Sequence, residues 1–254
     1  MTAEQKNTLN GFLNIAEDYL SGGYRAPRAV CRYTDDPAPS CNGRLPEDSE
    51  TGRLSPEPAA GEEKISALAV EIKDCGACPL SKHRKQALSG TGAEKPLVLV
   101  AADCPGPEDD REGRVFAGET GALLDRMLKA IGLFREKNCF ITYLVKCLPS
   151  PGHAIDEAER LSCEAFLKRE LSCLKPRAVL ALGASAGARL KGLGGSKESS
   201  LPSREDMRGR FFSCLGIPLL VTYHPAEVML NTALKAPVWK DLQQLQAKLG
   251  EPEE

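Results

Sequence analysis

Four short apolar runs constrain what this chain of 254 residues can fold into. They are 96–102 (PLVLVAA), 139–143 (CFITY), 178–182 (AVLAL) and 217–222 (IPLLVT). Each is close to continuously apolar, the mark of a strand buried on both faces. Segments with helical spacing separate them, over 121–131, 155–173 and 184–190, and a final one runs over 236–249. Strands alternating with helices predict a parallel sheet covered on both sides. The expected fold class is therefore α/β, a three-layer α/β/α arrangement around a central, mainly parallel four-stranded sheet. A short helix over roughly 63–73 should precede it. The Gly- and Ser-rich stretch 193–206 reads as a loop. No internal repeat is visible.

The part before this body is different. Leu9, Phe12, Leu13, Ala16, Tyr19 and Leu20 recur at helical spacing, and Gly22 and Gly23 end the pattern. Residues 4–20 are thus expected to form an amphipathic helix within an N-terminal segment 1–23. Its apolar face could dock a protein partner or pack back onto the body. From 24 to 61 the chain is rich in Pro, Ser, Gly and Asp and poor in apolar residues, the composition of a disordered linker. The domain proper is expected over 62–250.

No run of eighteen apolar residues exists, so no membrane span is expected. The polar start, Met1 to Leu9, lacks the apolar core of a secretory signal, which points to the cytoplasm. Ten cysteines in a reducing compartment argue against a disulfide framework and for metal or cluster binding. Charge is uneven. Residues 1–63 hold 6 Lys and Arg against 11 Asp and Glu, and residues 64–254 hold 27 against 24. A mildly basic body with an acidic extension is compatible with DNA binding.

In open α/β sheets ligands bind beyond the carboxyl ends of the strands. Asp103-Cys104-Pro105-Gly106 follows the first run, Leu144 to Pro149 the second and Tyr223-His224-Pro225-Ala226 the last. A carboxylate and an imidazole should therefore share one edge. Gly106 would let the backbone approach a ligand. Pro225 biases His224 toward extended backbone. The plainer readings are that Asp103 is a turn residue or helix cap and that His224 is structural.

The stretch 103–124 (DCPGPEDDREGRVFAGETGALL) resembles the first active-site motif of type 4, iron–sulfur uracil-DNA glycosylases. Residues 141–149 (ITYLVKCLP) and 222–226 (TYHPA) resemble two further motifs of that family, and 235–245, with Trp239 and Asp241, its closing helix. The resemblance covers roughly 64–250. It implies a cluster on four cysteines, Cys75 and Cys78 in a C-x-x-C pair, Cys147 after a strand and Cys163 within a helix. Four thiolates suit a [4Fe–4S] cluster, and zinc on the same four is the alternative. Cys104, Cys139, Cys173 and Cys214 read as core residues, and Cys31 and Cys41 as linker thiols.

The resemblance also implies a chemistry. A flipped uracil or related deaminated base in single- or double-stranded DNA would be cut from its sugar by water, by a monomer. Asp103 would lie near the sugar and the attacking water, and Phe116 would stack on the base. His224 would hydrogen-bond the departing anionic oxygen. Lys146 and Arg208 would neighbour phosphates. Phe116 could instead be simple core.

The chain departs from the motifs at four places. Asp103 stands for Glu, Tyr143 for the Asn that would read the base, Leu230 for Arg and Leu148 for Arg. A phenol offers one hydroxyl on a bulky ring where a carboxamide offers a donor and an acceptor. Two functions thus remain, an active glycosylase or a cluster-bearing DNA-binding module that excises weakly or not at all. A zinc-stapled hydrolase lacks its serine elbow here.

Overall fold

The computed structural model describes residues 65–193 and 207–250. The expected helix 4–20, the linker 24–61 and most of the loop 193–206 lie outside the described residues. Six strands and seven α-helices are defined among the described residues. The strands are β1 (Thr91–Gly92), β2 (Val98–Ala102), β3 (Cys139–Tyr143), β4 (Ala178–Leu182), β5 (Phe211–Cys214) and β6 (Ile217–Thr222). The helices are α1 (Ile65–Asp74), α2 (Pro107–Glu112), α3 (Gly118–Lys129), α4 (Glu157–Leu174), α5 (Ala184–Leu193), α6 (Pro225–Leu230) and α7 (Lys235–Gly250). Short 3₁₀ turns occupy Pro79–Lys82 and Thr232–Leu234.

The four expected strands form the parallel centre, in the order β3-β2-β4-β6. The expectation of a four-stranded sheet is corrected: the sheet has six strands, with antiparallel edges β1 beside β3 and β5 beside β6. Both were hard to see. β1 is two residues long and carries no apolar alternation. β5 and β6 form a hairpin whose turn residues, Leu215 and Gly216, have φ of 50° and 85°. Two residues with positive φ fit the twist of a tight hairpin, but leucine is not the residue that announces such a turn.

Alternation along the strands sorts side chains into two layers. Val98, Val100 and Ala102 face α3 and α7 through Leu124, Leu128, Val238 and Leu242. Leu99 and Ala101 face α4 and α5 through Leu167, Leu171, Ala186 and Leu190. A third apolar cluster joins α1 to the chain beyond β3, through Leu68, Ile72, Leu80 and Val145, and contains Cys147 and Cys163.

Helix ends follow local chemistry. Asp156 caps α4 by accepting the Glu159 N–H at 2.8 Å, and the Glu159 carboxylate accepts the Asp156 N–H at 3.0 Å. Lys175, in the left-handed region at φ 44°, ends it, and Pro176 cannot continue it. The two short helices α2 and α6 escape the sequence reading because six residues show no periodicity. Each starts with proline at its first position, where the missing N–H costs nothing.

Lys146 holds β3 to α4. It is 1% exposed, and its ammonium donates to both Glu170 carboxylate oxygens at 2.8 Å and to Thr142 Oγ1 at 2.7 Å. The expectation that Lys146 neighbours phosphate is therefore corrected: a buried, fully committed ammonium does not reach DNA. Removing one partner of such a pair strands the other's charge. Lys146→Ala should lower unfolding free energy by about 3–5 kcal/mol in urea titration. A loss of less than ~1 kcal/mol would show that the pair behaves as an exposed one.

Candidate active site

The carboxyl ends of β2, β3 and β6 meet around Phe116. Its ring centroid lies 5.2 Å from that of Tyr143, with planes at 21°, and 5.6 Å from that of His224, with planes at 30°. Phe116 has φ 52°, rare for a residue with a side chain. Strained backbone of this kind persists only where its surroundings impose it. Gly121 makes room for it: a Cβ on it would lie 1.7 Å from the Phe116 carbonyl oxygen. The two expected base-site aromatics and His224 are thus brought together. Phe116 and Tyr143 are also buried in the core layer, so the two readings of Phe116 are not exclusive.

The carboxylate at this point is Asp109, which the sequence reading passed over. Its Oδ2 accepts from the Gly106 N–H and from the Tyr143 hydroxyl, both at 2.7 Å. Its Oδ1 accepts the Ala117 N–H at 2.7 Å. The Tyr143 hydroxyl in turn accepts the Phe116 N–H at 3.2 Å. Burial, and then the Asp109 charge and hydrogen bond, push the phenol's pKa well up, so it stays protonated. The available signal was position: Asp109 is the third residue of a helical turn opened by Pro107, where an acid reaches back to the capping N–H. Gly106 therefore spends its N–H on Asp109. A Cβ there would meet only that carboxylate, at 3.4 Å.

Asp103 sits across the crevice between β2 and β4. Its Oδ1 takes a hydrogen bond from Arg189 Nη1 at 2.7 Å and its Oδ2 one from Ser185 Oγ at 2.8 Å, both on α5. The carboxylate is partly exposed. Neither Arg189 nor Ser185 was anticipated.

His224 caps α6. Its Nδ1 accepts the Ala226 N–H at 3.2 Å, which leaves the proton of the neutral ring on Nε2, free to donate. Burial lowers its pKa below the usual 6.5, outweighing the opposite pull of Glu227 and Asp109. Arg208 donates to Asp241 Oδ1 at 3.2 Å and lies 5.5 Å over the Tyr223 ring, next to His224. It remains partly exposed beside the site.

Three of the four expected ligand cysteines lie at the third apolar cluster. Cys78, Cys147 and Cys163 are members or neighbours of it, and charge on Cys75 and Cys78 would bear on Cys147. Burial pushes the Cys163 thiol up to about 11, with charge on Cys147 and Cys78 adding to it. Arg84 Nη1 donates to Cys147 Sγ at 2.8 Å, and its Nη2 to the carbonyls of Cys75 and Lys73. Among the described residues, no three His, Cys, Asp or Glu side chains converge closely enough to hold a metal ion. Of the expected core cysteines, Cys139 and Cys214 are buried and Cys104 and Cys173 half-buried. Cys31 and Cys41 lie outside the described residues.

This topology and this cluster of loop side chains define an α/β protein with an imidazole–aromatic–carboxylate site at the strand ends. The chain belongs to the uracil DNA glycosylase superfamily, whose family model matches residues 89–243. It is 35% identical over 175 residues to a type-4 uracil-DNA glycosylase of Pyrobaculum aerophilum, covering 67% of this chain and 87% of that one. It is 32% identical over 193 residues to the type-4 enzyme of Saccharolobus solfataricus, covering 74% and 88%. A type-5 uracil-DNA glycosylase of Pyrobaculum aerophilum is 32% identical over 150 residues, covering 53% and 63%.

The lowered His224 pKa has a measurable sign. An unfolded histidine binds its proton near 6.5, and the folded one resists below that. The unfolded state then holds more protons, so stability is fully present above about 6.5 and falls as pH drops through and below that value. His224→Gln should flatten this acid limb in urea midpoints measured between about pH 5 and pH 7.5. An unchanged slope would assign the limb to other groups.

Proposed function

We propose that this protein is a DNA glycosylase that hydrolyses the N-glycosidic bond of uracil, or a related deaminated base, as the first step of base-excision repair. The observation that carries this reading is the meeting of His224, Phe116 and Asp109 at the strand ends of a uracil DNA glycosylase fold. The relatives' names support the substrate.

The target base leaves the duplex for this site, since its bond to the sugar cannot be reached within the stack. Phe116 stacks on it. Bond cleavage builds negative charge on the base and positive charge on the sugar. The His224 Nε2–H, fixed by the Ala226 bond to Nδ1, donates to the charged base oxygen. A neutral imidazole suits this task, because it can donate without surrendering a proton early. Asp103, held by Arg189 and Ser185, and Asp109 supply the negative charge that favours a cationic sugar. Asp103 is the more open of the two and is assigned to the attacking water. Arg208 flanks the DNA backbone.

Cys75, Cys78, Cys147 and Cys163 are assigned to a [4Fe–4S] cluster. The donor chemistry supports this: Cys78, Cys147 and Cys163 are soft thiols at one apolar cluster, and the Arg84 guanidinium bonds both Cys147 Sγ and the Cys75 carbonyl. When bound, such a cluster would tie α1 and the Pro79–Lys82 turn to the chain beyond β3. Anaerobically purified protein should be brown with broad visible absorption, lost in Cys147→Ser. Colourless protein carrying zinc would overturn the cluster assignment.

The deciding assay incubates the protein with oligonucleotides holding one uracil, single- and double-stranded, followed by alkali. Strand cleavage is expected, and it should fall by at least roughly 100-fold in His224→Ala and in Asp103→Ala. No cleavage of uracil, hypoxanthine or xanthine by any variant would overturn the enzymatic reading. A second reading, a DNA-binding module without excision, is favoured by one observation: Tyr143 fills space beside Phe116 that a base would need.

A further inference from the structure

Tyr143 meets in full the demands that the site would make of a pyrimidine. It presents a planar six-membered ring, 5.2 Å from Phe116 and nearly parallel to it. It offers one donor, used on Asp109 Oδ2 at 2.7 Å, and one acceptor, used by the Phe116 N–H at 3.2 Å. A pyrimidine edge likewise carries ring N–H donors and carbonyl acceptors. The Tyr143 side chain is among the largest that are fully enclosed in the protein. Resting on the reading of Phe116 as the base-stacking residue, we infer that Tyr143 is a resident occupant of the base slot. It acts as a gate, so that a base enters only after the phenol leaves Phe116 and releases Asp109.

The geometry explains why such a gate would hold. The ring is anchored at both ends. The backbone of Tyr143 is fixed in register opposite Ala102 of β2, and its hydroxyl is tied by two hydrogen bonds. A free base must compete with an intramolecular group that is always present. Its apparent affinity is the intrinsic affinity reduced by the open fraction, so a slot open about 1% of the time binds about 100-fold more weakly. The hydroxyl and the ring also make separable contributions. Removing the hydroxyl leaves the stack but frees Asp109 and the Phe116 N–H. Removing the ring empties the slot.

The test uses the full chain and free uracil. Wild type, Tyr143→Phe, Tyr143→Asn and Tyr143→Ala are first checked for an unchanged fold by thermal melting and circular dichroism. Each is then titrated with uracil while the amide signals of Phe116 and Ala117 are followed by NMR. Uracil should bind Tyr143→Asn and Tyr143→Ala at least roughly tenfold more tightly than wild type, with Tyr143→Phe between. Tyr143→Phe keeps the core volume, so it decides the matter if the smaller residues unfold the protein. Equal affinity in wild type and the variants would overturn the gate. So would loss of excision in Tyr143→Phe, which would make the hydroxyl part of the chemistry. Tighter uracil binding with no excision by any variant would keep the gate and sink the glycosylase reading instead.

Discussion

The Asp109 carboxylate accepts three hydrogen bonds, and the candidate site is built around them. Gly106 and Ala117 donate from the two ends of a twelve-residue excursion and Tyr143 donates from the end of β3. These bonds close the segment after β2 into a loop around α2 and deliver Phe116 at its exit. A buried carboxylate left without such partners would cost several kcal/mol, so these partners are mutually required. Phe116 then has little choice. Ala117 is fixed on one side, Gly121 leaves room for its carbonyl, and its φ falls in the left-handed region. The strain is local and is offset by the loop bonds that surround it.

The neighbouring acid continues the chain of dependence in the opposite direction. Asp110 is also buried, and its carboxylate accepts the N–H groups of Lys85 and Gln86 at 3.0 and 3.3 Å. Those residues follow Arg84, whose guanidinium grips Cys147 and the carbonyl of Cys75. Two consecutive aspartates on one helical turn therefore tie the aromatic site to the cysteine lobe. The link is physical, because each contact is a hydrogen bond between charged or backbone groups with little freedom. It gives the cysteine lobe a structural relation to the site.

Much of the fold was legible because its signal is local. Four parallel strands are four apolar runs, and their helices show the spacing of a buried face. The edge strands were not legible. Thr91 and Gly92 form a strand only because β3 lies beside them, and Phe211–Cys214 depends on an unheralded turn at Leu215. The site divides in the same way. His224 and Phe116 sit where strand ends and motifs place them. Lys146 reads as a surface base in sequence, and only the packing of Glu170 against Thr142 shows that it is interior. Asp103 and Asp109 are six residues apart in one acidic loop, and although Pro107 marks Asp109 as a capping acid, nothing local says where Asp103 turns. The decision rests on Arg189, 86 residues away, which takes Asp103.

The β3 terminus shows how chemistry can change while the fold does not. Tyr143 pairs in register with Ala102, and that pairing fixes where its side chain begins whatever the residue is. The scaffold therefore tolerates different groups at this point, provided they fill a similar volume and satisfy Asp109. A carboxamide would leave the slot open and read a base edge with a donor and an acceptor. A phenol spends its donor and acceptor on the protein itself. The difference lies in who satisfies Asp109 and the Phe116 N–H, a substrate or the chain. The same hydrogen-bond demand that stabilises this loop then decides whether the site stands ready for a base or must first be opened.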